Sequence, residues 1–132
     1  PRWWSPGESP GILHLRGGGS AVAVATWDFG EIAVREAALN LEQGKSSIDA
    51  AEAGVRAVEL DEQDQYYVGY GGLPNCNGLM EMDGAIMDGG APYPSHTPNR
   101  LGAVCALPCQ ISAVSVARAV MDQSPHNVLV GQ

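Results

Sequence analysis

Residues 21–60, AVAVATWDFGEIAVREAALNLEQGKSSIDAAEAGVRAVEL, change hydrophobic period once and then repeat the new period in two blocks. Ala21 to Thr26 alternates small and β-branched residues, the pattern of a short strand buried on both faces. From Glu31 the apolar residues step by three and four: Ile32, Val34, Ala37, Ala38 and Leu41, up to a natural stop at Gly44. Asp28 and Glu31 have the spacing of a capping box, so a helix is predicted over 31–43. Ser46 or Ser47 can cap a second, over 47–60, on the period of Ile48, Ala51, Val55 and Val58. Two consecutive helices after one strand argue against strict strand–helix alternation.

Further along, the acidic run Glu59, Asp61, Glu62 and Asp64 opposes the dipole at the end of the second helix, and the chain is expected to leave helical geometry there. VGYGGLPNCNG, Val68 to Gly78, then packs four glycines, a proline and two asparagines into a loop. Met82 to Met87 reads as a strand ending at Asp88–Gly90, and Leu101 to Leu107, apolar on both faces, as a central strand. Ser112 can cap a third helix through Met121, and Val128 to Val130 begins another strand. Strand, helix, helix, strand, strand, helix, strand is the order of an α+β layered sandwich.

Composition removes several function classes. Fifteen acidic against seven basic residues give a net charge of -8, which is no footprint for a nucleic acid. No apolar run approaches the roughly 18 residues of a membrane helix, so no membrane partner is expected. Residues 1–20 show no period and form an irregular segment ahead of a domain over 21–132; with Pro1 first, the chain is expected to be a fragment. Three cysteines, Cys76, Cys105 and Cys109, are too few and too unpaired for a disulfide framework.

Single constellations leave alternatives open. Cys105 or Cys109 with His126 would be a nucleophile and base, yet both cysteines fall in or just after an apolar strand, where cysteine acts as a small hydrophobe. Cys76, His96, Cys105 and Cys109 lack the paired short spacing of zinc ligands, and His14 reads as a surface residue. Gly17 to Gly19 is not followed by Lys and Ser/Thr, as a phosphate loop would be. Asp83 and Asp88 could share acid–base work, but on one strand they point to opposite faces, and turn hydrogen bonding serves equally as their role. Trp27, where a strand meets a loop, suits a pocket wall or a core cap.

Taken in order, however, several strings carry a resemblance: VATWDFG at Val24–Gly30, SSIDAAEAGVRAV at Ser46–Val58, VGYGGLPN at Val68–Asn75, MDGAIMDGG at Met82–Gly90, LGAVCAL at Leu101–Leu107 and SVARAVMDQSPHNVLVG at Ser115–Gly131. Together they resemble the N-terminal, α-chain half of the glycosylasparaginases, a family of N-terminal nucleophile hydrolases. The plant-type asparaginases and isoaspartyl peptidases share the IMDG strand and stand as the alternative. TWDF at Thr26–Phe29 and GYGGLPN at Gly69–Asn75 favour the first group.

The resemblance implies half of a four-layer αββα sandwich. It also implies an amide hydrolysis that separates N-acetylglucosamine from asparagine, carried out by a threonine freed by self-cleavage, with its own amine as base. Its only threonines, Thr26 and Thr97, do not follow an aspartate, so no catalytic residue is expected within the chain and the nucleophile is expected beyond Gln132. Trp27 and Phe29 correspond to substrate-pocket positions, and Tyr67 stands where several family members have a serine near the nucleophile. By the same resemblance the substrate is a glycoasparagine, the partner is the C-terminal β-chain half of the same precursor, and αβ units form homo-oligomers. No cofactor or metal is needed, and the compartment is lysosomal or secretory. The chain alone is expected to be inactive and to aggregate through unpaired strand edges and an exposed sheet face; a truncated, non-catalytic product is the remaining alternative.

Overall fold

The computed structural model describes residues 12–15, 21–27, 29–63, 68–90, 98–108 and 111–131. They belong to two compact units, Pro1–Val58 and Glu59–Gln132. Helices and a mixed sheet together give the α+β class expected, consistent with part of an N-terminal nucleophile hydrolase domain.

In the first unit, β1 (Ile12–Leu15) and β2 (Ala21–Val24) form an antiparallel ribbon with Ile12 opposite Val24 and Leu15 opposite Ala21. β1 lies in a stretch whose sequence has no strand period. Helix α1 (Gly30–Glu42) lays Val34 and Ala38 against Ala23 and Ala25, because these residues share one face at helical spacing and one side of the ribbon. Val22 and Val24 are 53% and 64% exposed, which corrects the expectation of a strand buried on both faces. α1 also starts differently from the expected capping box: its N-cap is Phe29, in helical geometry and without a side-chain cap, while Asp28 lies outside the described residues. Helix α2 (Ser47–Glu59) does have its expected cap, with the Asp49 N–H donating to Ser46 Oγ at 3.2 Å.

In the second unit the sheet order is β3–β4–β5, built from β3 (Glu81–Asp88), β4 (Arg100–Pro108) and β5 (Val128–Val130). β4 is central, as its apolar pattern predicts, antiparallel to β3 and parallel to β5. Helix α3 (Ala113–Gln123) covers one face, burying Ala113, Val114, Ala117, Val120 and Met121 over Met82, Ile86 and Val104. The approach is close enough that a Cβ on Gly102 would stand 2.0 Å from the Ala117 carbonyl oxygen. Ser112 caps α3 as expected, accepting from the Ser115 N–H. The opposite sheet face stays open, with Met87 65%, Val128 50% and Val130 71% exposed. No helix among the described residues is long and apolar enough to cross a membrane.

Candidate active site

The turn from β2 into α1 presents two aromatic rings together. The Gly30 N–H donates to the Trp27 carbonyl at 2.9 Å, which folds Trp27 and Phe29 onto the same side of the bend. Their rings lie 6.2 Å apart between centroids and 7° from parallel, an offset stack of favourable quadrupole geometry. Gly30 leaves no room for a side chain, since its Cβ would be 2.4 Å from that of Ala25. Trp27 remains 65% exposed. A large ring with this much of its surface in solvent is an unusual use of Trp. Two of the three sequence-predicted pocket residues are thus brought together; Tyr67 lies outside the described residues.

In the second unit the glycine loop closes through a short 3-10 turn, Gly69–Gly71. Gly69 has φ +61°, the left-handed region, and a Cβ there would fall 1.9 Å from the Glu59 carbonyl oxygen, so both conformation and space demand glycine. Glu59 itself is a residue that sequence reasoning missed. It is buried, and its carboxylate accepts from the Val114 N–H at 3.0 Å and from the Ser112 hydroxyl. A carboxylate at the first turn of α3 satisfies donors that the helix cannot, and its charge suits the positive end of the helix dipole. The helix does end at Glu59, as the acidic run predicts, yet no local signal announces a partner more than fifty residues away.

Asp83 and Asp88 occupy opposite faces of β3. Asp83 accepts from the Ala106 N–H at 2.9 Å, steadying a backbone that has φ +54° at Ala106 and a register shift in β3 between Met82 and Gly84. Asp88 accepts from the Gly90 N–H at 3.0 Å and from Arg100 at 2.9 Å. Arg100 reaches on to Asp122 at 2.6 Å, and Asp122 pairs with Arg118 one helical turn back. Hydrogen bonding from Arg100 and then from the Gly90 N–H holds Asp88 below the ordinary carboxylate value, and Arg118 does the same for Asp122. Both aspartates are therefore structural anions rather than proton donors near neutrality.

The cysteine and zinc readings gain no support. Cys105 is half-buried in β4 opposite Val130, Cys76 is exposed, and Cys109 and His96 lie outside the described residues. Among the described residues, no three of His, Cys, Asp and Glu come together as a metal site.

The family model described as asparaginase matches residues 18–132. The chain belongs to the asparaginase family. Its relatives include the N(4)-(β-N-acetylglucosaminyl)-L-asparaginase of Elizabethkingia miricola, 39% identical over 110 residues, which are 83% of this chain and 30% of that protein. The enzyme of the same name from Rattus norvegicus is 37% identical over 122 residues, 92% of this chain and 33% of its own. An isoaspartyl peptidase/L-asparaginase of Mus musculus is 40% identical over 91 residues, 69% of this chain and 25% of that protein. The resemblance to glycosylasparaginases therefore holds, and the chain spans about a third or less of the length of these relatives.

The described residues thus hold a stacked aromatic pair and a glycine loop closed against Glu59. Thr97 lies outside the described residues.

Proposed function

We propose that this chain is the α side of an amidase that hydrolyses the bond between N-acetylglucosamine and the side-chain nitrogen of asparagine. The attacking threonine comes from sequence outside these 132 residues. The observation that carries the reading is the exposed Trp27–Phe29 stack on the TWDF motif. An aromatic face of this kind packs against the apolar face of a pyranose or the flat amide joined to it, and it orients the scissile carbon without taking part in proton transfer. A threonine hydroxyl is a weak nucleophile at its ordinary pKa, so the amine of the same residue would serve as its base. The partner is the C-terminal half of the same enzyme, the αβ units assemble into homo-oligomers, and the compartment is lysosomal or secretory. The extent of alignment with the glycosylasparaginases, 110 and 122 residues against 91 for the mouse isoaspartyl peptidase, supports this substrate class.

The 40% identity to that peptidase favours a second reading, hydrolysis of isoaspartyl dipeptides or free asparagine. The test is co-expression of the chain with the sequence that follows it in its own reading frame, assayed for aspartate release from each substrate. Release from a glycoasparagine in the combined sample alone is expected. Preference for isoaspartyl dipeptides would establish the second reading, and activity of the lone chain would overturn the assignment of the nucleophile.

A further inference from the structure

Of the five asparagines in the chain, Asn77 alone is followed by glycine; Asn40, Asn75, Asn99 and Asn127 precede Leu, Cys, Arg and Val. Asn77 and Gly78 are both exposed, Gly78 has φ +76°, and nothing lies within 4 Å of where its Cβ would be. A following residue without a side chain leaves the Asn77 amide carbon open to attack by the next backbone nitrogen, a reaction that makes asparagine thermolabile. The surrounding hydrogen bonds are aimed at that reaction. The Gly78 N–H, the would-be nucleophile, donates to the Asn75 carbonyl at 2.9 Å. Asn75 Oδ1 accepts from the Asn77 N–H at 2.9 Å and the Leu79 N–H at 3.0 Å, on either side of Gly78. Asn75 Nδ2 is tied in turn to Glu81 at 2.9 Å, and the Asn75 N–H to the Leu79 carbonyl at 2.8 Å. Both peptide planes that must rotate are held by one residue.

We propose that Asn77–Gly78 is a site of spontaneous backbone isomerisation and that Asn75 is the latch that slows it. The Gly78 nitrogen gives its proton to solvent and bonds to Asn77 Cγ; the Cγ–Nδ2 bond breaks, and ammonia leaves with a proton from water. The resulting cyclic imide is hydrolysed by one water. Opening at the α-carbonyl gives an isoaspartyl link, and opening at the β-carbonyl gives aspartate. The isoaspartyl product adds one carbon to the main chain and a negative charge. It therefore moves Gly78 and Leu79 out of register with Asn75, immediately before β3.

The test is incubation of the chain co-expressed with the sequence that follows it in its own reading frame, in neutral to mildly alkaline buffer, with peptide mapping and enzymatic methylation of isoaspartate over time, natively and in urea. Isoaspartate is expected at residue 77, several-fold faster in urea than in the folded chain, faster in Asn75→Ala than in the wild type, and absent in Asn77→Gln. No isoaspartate at residue 77 in either condition would overturn the site. Equal native and urea rates would overturn the latch, a comparison that needs no variant to fold.

Discussion

The two units of this chain solve the problem of a small core in different ways. In the first, α1 packs on a two-stranded ribbon through Ala and Val contacts, and Trp27, Val22 and Val24 remain more than half exposed. In the second, α3 lies so close to its sheet that a Cβ on Gly102 has no room, and long-range polar bonds from Glu59, Asp83 and Arg100 tie distant segments together. The first unit displays side chains and the second fixes positions. Substitutions should therefore separate the units by what they damage: folding in the second, recognition in the first.

The largest effect is expected at Gly102. Replacement by Ala forces α3 from β4 or distorts both, at a cost of about 3 kcal/mol, in the upper range for an overpacked core. Gly89→Ala, where the new methyl meets open space, serves as the control. A denaturant midpoint that moves equally for both would show that the helix–sheet approach is looser than described. Next comes Glu59→Ala, which leaves the Val114 N–H without its acceptor in a buried setting; a loss of about 1–3 kcal/mol is expected. Glu59→Gln should recover part of it, because one amide oxygen can still accept. If the alanine variant melts with the wild type, water replaces the carboxylate and the pin is dispensable.

Acid sharpens the contrast further. Asp88 and Asp122 both lie below 3.8 in the folded chain, so their contribution is fully present above that pH and is lost as pH falls through their folded values. Melting should thus be insensitive to these groups from neutrality down to about pH 4 and weaken below it. Arg100→Ala should remove most of the acid dependence that belongs to Asp88, while Asp122 keeps its bond from Arg118. Persistence of the same profile in the variant would locate the acid sensitivity elsewhere.

How much of this was legible beforehand follows from the range of each interaction. α1 and α2 were predicted over 31–43 and 47–60 and span 30–42 and 47–59, and β4 was predicted as central, because hydrophobic period is a local signal. β1 was not legible, since it exists only through pairing with β2. Val22 and Val24 were misplaced for a related reason: a strand's composition states that both faces are apolar, not that both are covered. Glu59 looked like a dipole fault at the end of α2 because its compensation is the N-terminus of α3, far along the chain. In the candidate site, Trp27 and Phe29 were legible through the TWDF string, while their mutual stacking required coordinates.

The smallest effect on folding and a large one on function are expected together at Trp27. With 65% of its surface in solvent, Trp27→Ala removes little buried area, and the change in stability should stay within about 0.5 kcal/mol. In the assembled enzyme the same variant should raise KM for a glycoasparagine more than it lowers kcat, because a ledge that binds the substrate equally in ground and transition states acts on affinity. Trp27→Phe should restore part of the affinity by keeping a ring over Phe29. Measured against free asparagine, which offers no sugar to stack, the variant should behave as the wild type. A loss of equal size on both substrates would move Trp27 from recognition to packing, and the distinction between a displaying unit and a positioning unit would fail at Trp27 itself.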